Sequence, residues 1–223
     1  MPREETSRLD TVVVFAGGSK LRSRVIESIP EGSLVVAADS GAENALTLGL
    51  RVDLAVGDFD SISPAALEAL EWAGGRVERH PTAKDSTDLE LALDAATALR
   101  PRRILMVGGA GGRLDHLLGE LLLLGAEAYA DVELDALLGP ATIHVVRRER
   151  LLAGRVGELI SLVALHGPAV GVVTESLAYP LCGETLAPGS TRGISNRFAA
   201  REACVSLKSG VLLVVRPGGR WRA

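Results

Sequence analysis

The rhythm of apolar and polar positions changes once along this chain. Up to about residue 130, short β-branched apolar runs alternate with longer segments of helical spacing. The runs TVVVFAGG (11–18), LVVAADSGA (34–42), LAVGDFDS (54–61) and RRILMVGGAGG (102–112) predict strands that give way to glycine, aspartate or serine. Between them, SGAENALTLGL, SPAALEALEWAGG, STDLELALDAATALR and LDHLLGELLLLGAEA predict helices. The third of these opens on a capping box, Thr87 followed three residues later by Glu90. Apolar strands alternating with helices predict a mainly parallel, Rossmann-like α/β sheet covered on both faces. In such a sheet the ligand site lies beyond the carboxyl ends of the strands. After residue 140, ATIHVVRR, GELISLVAL, AVGVVTES, EACVSLK and GVLLVVRP are short runs punctuated by Gly, Pro and Ser. They predict an all-β sandwich or barrel. The expected organisation is an α/β domain over residues 1–140 and an all-β domain over 141–223, with the seam near LLGPAT.

Composition narrows the function more than the fold. With 223 residues, 47% hydrophobic and 23% charged, the chain can bury a core in each domain. A net charge of -4 carries no basic footprint for nucleic acid. The start, MPREETSRLDTVVVFAGG, is only briefly apolar, which predicts neither a signal peptide nor a membrane span and suggests a cytoplasmic protein. LLGELLLLGAEAYA carries two glutamates and reads as a buried helix of a soluble protein. Cys182 and Cys204 form neither a zinc pattern nor a disulfide framework and read as small half-buried hydrophobes.

Candidate chemistry collects at the predicted strand ends, and it is mostly aspartate. Asp39 follows the second run, Asp58 and Asp60 the third, Asp85 and Asp88 stand at the mouth of the capped helix, and Asp115 follows GGAGGR. If the chain stays extended through Phe59, Asp58 and Asp60 share one side and Phe59 faces the core. Two carboxylates about 4 Å apart repel by about 1 kcal/mol in water and about 4 kcal/mol at an effective dielectric near 20. A cleft holding several therefore wants a cation, and hard oxygen ligands without His or Cys suit Mg²⁺. Any single one of these aspartates also fits as a helix N-cap or turn former. FAGGSK (15–20) and GGAGGR (108–113) offer glycine backbone and a cation for phosphate, although neither is a standard fingerprint. Lys84 and Arg113 either hold phosphates or pair with the neighbouring carboxylates.

These segments also carry a resemblance. AADSGAENAL, VDLAVGDFDSIS, KDSTDLELAL and GGAGGRLDH, followed by GELISLVAL, SLAYPL, GSTRGISNRF and GVLLVV, stand in the order and spacing of the thiamine pyrophosphokinases. The chain resembles that family over nearly its whole length. The resemblance implies ATP- and Mg²⁺-dependent transfer of a pyrophosphoryl group to thiamine, giving thiamine diphosphate and AMP, by a homodimer with a shared active site. By motif, Asp58, Asp60 and Asp88 correspond to metal-binding carboxylates. Asp115 and Asp39 correspond to catalytic groups near the substrate or metal, with His116 a weaker candidate beside Asp115. Gly17, Gly18, Lys84, Asp85 and Arg113 would face ATP; Tyr179, Ser195 and Asn196 would face thiamine. The chain departs from its bacterial relatives at Ser176 and Ala178, where they often have Gly and Lys, and at Ser40, where they have Gly. Two other readings share part of this pattern: a sensor that binds thiamine diphosphate or a nucleotide, and another Mg²⁺-dependent phosphotransferase.

Overall fold

The run Thr11–Phe15 is buried along its whole length and forms β1, the centre of a parallel sheet. In the computed structural model, which describes residues 9–109 and 113–218, the chain divides into two compact units. One unit is Met1–Glu120 with Asp131–Gly139; the other is Leu121–Ala130 with Pro140–Ala223.

In the first unit, β1 is joined by β2 (Leu34–Ala38), β3 (Leu54–Gly57), β4 (Arg76–Arg79), β5 (Arg103–Gly108) and β6 (Glu133–Leu138). Their order is β4-β3-β2-β1-β5-β6, and every pairing is parallel. The helices are α1 (Gly41–Thr47), α2 (Pro64–Trp72), α3 (Asp88–Ala98) and α4 (Leu114–Leu124), the last turn of α4 belonging to the other unit. Central strands covered by helices have no face for water, so they read as continuous apolar runs. Val13, Phe15, Val35, Ala37, Ala55 and Leu105 meet in one core cluster. Thr87 caps α3 as its spacing predicts, its Oγ1 accepting from the Glu90 N–H at 3.2 Å. The strand order reverses between β1 and β5, which puts a crevice at their carboxyl ends.

Two strands of this unit were hidden in the sequence. The RVER of β4 is mostly exposed and charged, as suits an edge strand that must not invite pairing. β6 carries Asp135 in its middle, which breaks the apolar run although the residue is fully buried. The leucine-rich α4 is not a buried helix: Leu114, Leu118 and Leu122 are 70%, 52% and 49% exposed, and Leu124 alone on it is fully buried. Spaced four apart, those leucines line one stripe of the helix.

The second unit is antiparallel. Its strands are β7 (Ala141–Val146), β8 (Glu149–Ala153), β9 (Leu159–Glu175), β10 (Cys182–Leu186), β11 (Asn196–Arg197), β12 (Glu202–Ser206) and β13 (Ser209–Arg216). They run in the order β7-β13-β9-β12-β8, with β10 and β11 also paired to β9. The 17-residue β9 serves two sets of partners: β13 pairs mostly with Ser161–Leu165, while β10 and β12 take Ala169–Glu175. Ile160, Leu162, Val172, Phe198, Leu212 and Val214 form the core. Cys204 is partly buried as expected, but Cys182 is exposed.

One ion pair in this unit sets a pH limit. Glu158 Oε1 accepts from Arg216 Nη2 at 2.6 Å and Nε at 2.9 Å, and Oε2 accepts from the Arg155 N–H at 3.0 Å. Burial pushes the Glu158 pKa up, but these hydrogen bonds outweigh it and hold the group below the ordinary 4.5. Its stabilisation is therefore complete above pH 4.5 and is lost as pH falls through the depressed value. Glu158→Gln should cost about 1.5–3 kcal/mol at neutral pH. In urea melts across pH, the gap between variant and parent should close on acidification.

Candidate active site

The first unit brings its chemistry to one edge of the sheet because β1, β2, β3 and β5 all end there. β2 runs out at Ala38, and Asp39 follows in a left-handed turn (φ 42°), its N–H donated to the Val56 carbonyl at 2.9 Å. β3 ends at Gly57, whose φ is 154°. A Cβ at Gly57 would lie 3.2 Å from both Asp39 Cβ and Asp88 Oδ1, so glycine allows these acidic segments to close on one another.

The chain does not stay extended through Phe59. That residue is left-handed (φ 60°) and only 8% exposed, so it reaches the core by a turn instead of by strand alternation. Asp58 and Asp60 still converge, because the Asp60 N–H donates back to Asp58 Oδ1 at 3.3 Å. With Asp39 they present carboxylate oxygens that all lie within 4.8 Å of one another.

Their electrostatic environments differ. Burial raises the Asp39 pKa above its ordinary 3.8, helped by the charges of Asp88 and Asp60, while the N–H of Ser40 opposes the shift. Its Oδ1 is buried without a hydrogen-bond partner. The Asp60 N–H holds Asp58 below the ordinary range. Lys84 answers part of this charge, with its Nζ 2.8 Å from Asp88 Oδ1 and 3.7 Å from Asp58 Oδ2. Its own pKa is raised, first by the contact with Asp88. Of the two roles open to Lys84, the structure shows the carboxylate pairing. Oxygen-only donors, one of them a buried orphan, fit a hard divalent cation. The converging set is Asp39, Asp58 and Asp60, and Asp88, expected as a metal ligand, lies beside it with Lys84 as its close contact.

The glycine segments flank this trio. Gly17 and Gly18 follow β1, and Gly18 has φ 103°. A Cβ at Gly109, just past β5, would come within 2.3 Å of the Ser19 carbonyl oxygen, so the two loops touch. Residues 110–112 of the second loop lie outside the described residues. Arg113 donates to Asp115, Nη2 to Oδ2 at 2.6 Å, and this bond lowers the Asp115 pKa to about 2. Asp115, His116 and Asp85 are exposed, and none of them belongs to the trio.

In the second unit, the expected thiamine residues meet in a way the sequence did not suggest. Asn196 is 3% exposed, and its amide is committed to backbone. Nδ2 donates to the Tyr179 carbonyl at 2.7 Å, while Oδ1 accepts from the Tyr179 N–H at 3.0 Å and the Arg197 N–H at 2.8 Å. Asn196 thus braces the segment that carries Tyr179, whose own side chain is 63% exposed. Ser195 is left-handed (φ 62°), and its N–H donates to Ser161 Oγ at 3.1 Å. Ser161 lies 34 residues away, so no local pattern could have disclosed it.

Ser176, at the start of SLAYPL, is also left-handed, with φ 60°. That conformation costs a non-glycine residue about 1–2 kcal/mol. Glycine would lose about 0.5–1 kcal/mol of this gain to its greater freedom when unfolded. Ser176→Gly should therefore stabilise the protein by about 0.5–1 kcal/mol, readable as a higher urea midpoint at unchanged m-value.

A parallel α/β unit that brings an oxygen-only carboxylate trio and glycine loops to its strand ends has a donor set that fits a hard cation beside an anionic ligand. The family model "Thiamin pyrophosphokinase, catalytic domain" matches residues 27–134, and "Thiamin pyrophosphokinase, vitamin B1 binding domain" matches 141–212. The chain belongs to the thiamine pyrophosphokinase family. It is 28% identical to the thiamine pyrophosphokinase of Bacillus subtilis (strain 168) over 93% of its own length and 99% of that protein's. The crystal structure of a B. subtilis thiamine pyrophosphokinase superposes with a TM-score of 0.83, covering 95% of this chain and 100% of that one. The Geobacillus thermodenitrificans structure gives 0.80 at 27% identity, covering 95% and 98%. No helix among the described residues is long and apolar enough to cross a membrane.

Proposed function

We infer that this chain transfers the pyrophosphoryl group of ATP to the hydroxyethyl oxygen of thiamine, giving thiamine diphosphate and AMP. The observation that carries this reading is the presence of both family domains, in order, on a chain whose Asp39, Asp58 and Asp60 converge at the sheet's ligand edge. In the reaction the thiamine oxygen bonds to the β-phosphorus. The bond from that phosphorus to the oxygen bridging to the α-phosphate breaks, AMP leaves with the electron pair, and the hydroxyl proton is released.

Asp39, Asp58 and Asp60 would hold Mg²⁺, with Asp88 setting the position of Lys84. Bound Mg²⁺ supplies neutralisation of phosphate charge and a template for in-line displacement. The chain's own residues do the rest by positioning. The touching loops at Gly17–Gly18 and Gly109 bring backbone close to the phosphates. Asp115, with its pKa near 2, is a poor proton acceptor at neutral pH, so its part is to orient Arg113 toward the phosphates. Tyr179 offers an exposed ring face to the cationic thiazolium or the pyrimidine. Ser195 and Asn196 shape that rim, Asn196 by fixing the Tyr179 backbone.

The strand-order reversal at β1 and β5 supports a Rossmann-like reading of the nucleotide domain (1–140). The two sets of partners of β9 support a sandwich for the thiamine domain (141–223). A homodimer with a shared active site belongs to the same reading, as does a cytoplasmic location, where ATP is at hand. The exposed leucine stripe of α4 is surface that a second copy would cover. Light scattering behind a sizing column should give twice the 23.3 kDa chain mass.

The test is a product assay with ATP, Mg²⁺ and thiamine. AMP and thiamine diphosphate should appear in equal amounts and disappear with EDTA. ADP with thiamine monophosphate would place the attack on the wrong phosphorus, and thiamine binding without turnover would leave a sensor.

A further inference from the structure

Arg79 closes β4, directly opposite Gly57 in the β3–β4 register. The pairing runs one residue further, the His80 N–H donating to the Gly57 carbonyl at 2.9 Å. The ladder therefore fixes where the Arg79 side chain starts relative to the acidic turn. Its guanidinium lies over the Phe59 ring, 5.2 Å from the centroid. Phe59 is the residue between Asp58 and Asp60, and it occupies a left-handed conformation that a bulky side chain rarely adopts. Such a conformation persists only where its surroundings over-determine it. The core grips one part of the ring, and Arg79 covers another.

We propose that Arg79 is a positioning residue for the cation site: by stacking on Phe59 it holds the left-handed turn that points Asp58 and Asp60 toward Asp39. A planar guanidinium suits this task, since it stacks on an aromatic face while staying hydrated at its rim. Lys84, which touches Asp58 and Asp88 directly, compensates charge; Arg79 acts on geometry. A lone arginine ending a polar edge strand gives no signal in the sequence. The inference rests on the carboxylate reading above, but it can be tested without substrate.

The experiment follows two readouts on metal- and nucleotide-free protein: hydrogen exchange at the Asp60 amide, which donates to Asp58 Oδ1, and Mn²⁺ affinity by electron paramagnetic resonance. Arg79→Ala should speed that exchange and weaken Mn²⁺ by about two- to five-fold, the scale of one exposed cation–π contact. Arg79→Met, which keeps the stem and loses the cation, should match it and guards against a packing artefact. Phe59→Leu should weaken Mn²⁺ at least as much, and the double variant should be no worse than Phe59→Leu alone. Unchanged exchange and Mn²⁺ affinity with a raised KM for ATP would make Arg79 a phosphate contact and overturn the proposal. Additive losses in the double variant would overturn it too, because Arg79 would then act independently of Phe59. Failure of the wild-type product assay would instead count against the kinase reading and leave these two readouts to decide the role of Arg79.

Discussion

Asp58→Asn and Asp60→Asn should each lower the rate of thiamine diphosphate formation by about 100- to 1000-fold without unfolding the protein. The substitution keeps the side chain's size and removes one charge from a group of oxygens lying within 4.8 Å of one another. On the proposed reading that group holds the cation, so what is lost is the cation and its hold on the phosphates. Asp39→Asn should be as damaging to turnover and opposite in its effect on the fold. Because burial raises the pKa of Asp39, ionising it opposes folding. Its contribution to stability is full below about 3.8, the ordinary value, and falls away as pH rises through the folded-state value. At neutral pH and without metal, Asp39→Asn should therefore melt higher than the parent, and millimolar Mg²⁺ should raise the parent's melting temperature but not the variant's. An equal response to Mg²⁺ in both proteins would remove Asp39 from the cation site.

Much of this site was legible before any coordinates, but not always for the right reason. The spacing of Asp58 and Asp60 did mark two carboxylates that converge, yet strand alternation is not what unites them; a left-handed Phe59 and a backbone hydrogen bond do. Spacing reports which side chains share a face only while the backbone keeps its period, and Gly57 ends that period. Asp39 completes the trio from the end of another strand, while Asp88 pairs with Lys84 at i,i+4, a contact that spacing alone left open. Asn196 shows another limit. Its residue type announced hydrogen bonding, but only the fold reveals that its partners are the backbone groups of Tyr179, 17 residues away. Composition misled at α4, where leucine density suggested burial and left a solvent-facing stripe. An apolar pattern says that a face seeks cover; it does not say what supplies it.

The opposite end of the same sheet gives the largest expected stability effect. Arg103→Met should destabilise the protein by about 3 kcal/mol, lowering its melting temperature by about 6–12 °C. Asp135 is wholly buried on β6, and Arg103 Nη2 approaches its Oδ2 at 2.6 Å from the neighbouring strand β5. The pair is extended outward by Glu133, which lies 3.7 Å from Arg103 and 3.6 Å from Arg102, and by Asp10, 2.8 Å from Arg102. Removing the arginine takes away the charge that compensates a carboxylate shut off from water, and such a loss costs more than the intact pair contributes. Replacing both, as Arg103→Met with Asp135→Leu, should recover most of the stability, since a packed apolar pair often matches a buried ionic one. A chemical-denaturation cycle over the four proteins would measure this, and additive losses would refute the pairing argument. At the amino ends of the strands these carboxylates face arginines, and the charge is settled within the chain. At the carboxyl ends three carboxylates converge, one with an orphaned oxygen, and Lys84 answers only part of their charge, which supports the proposed cation there.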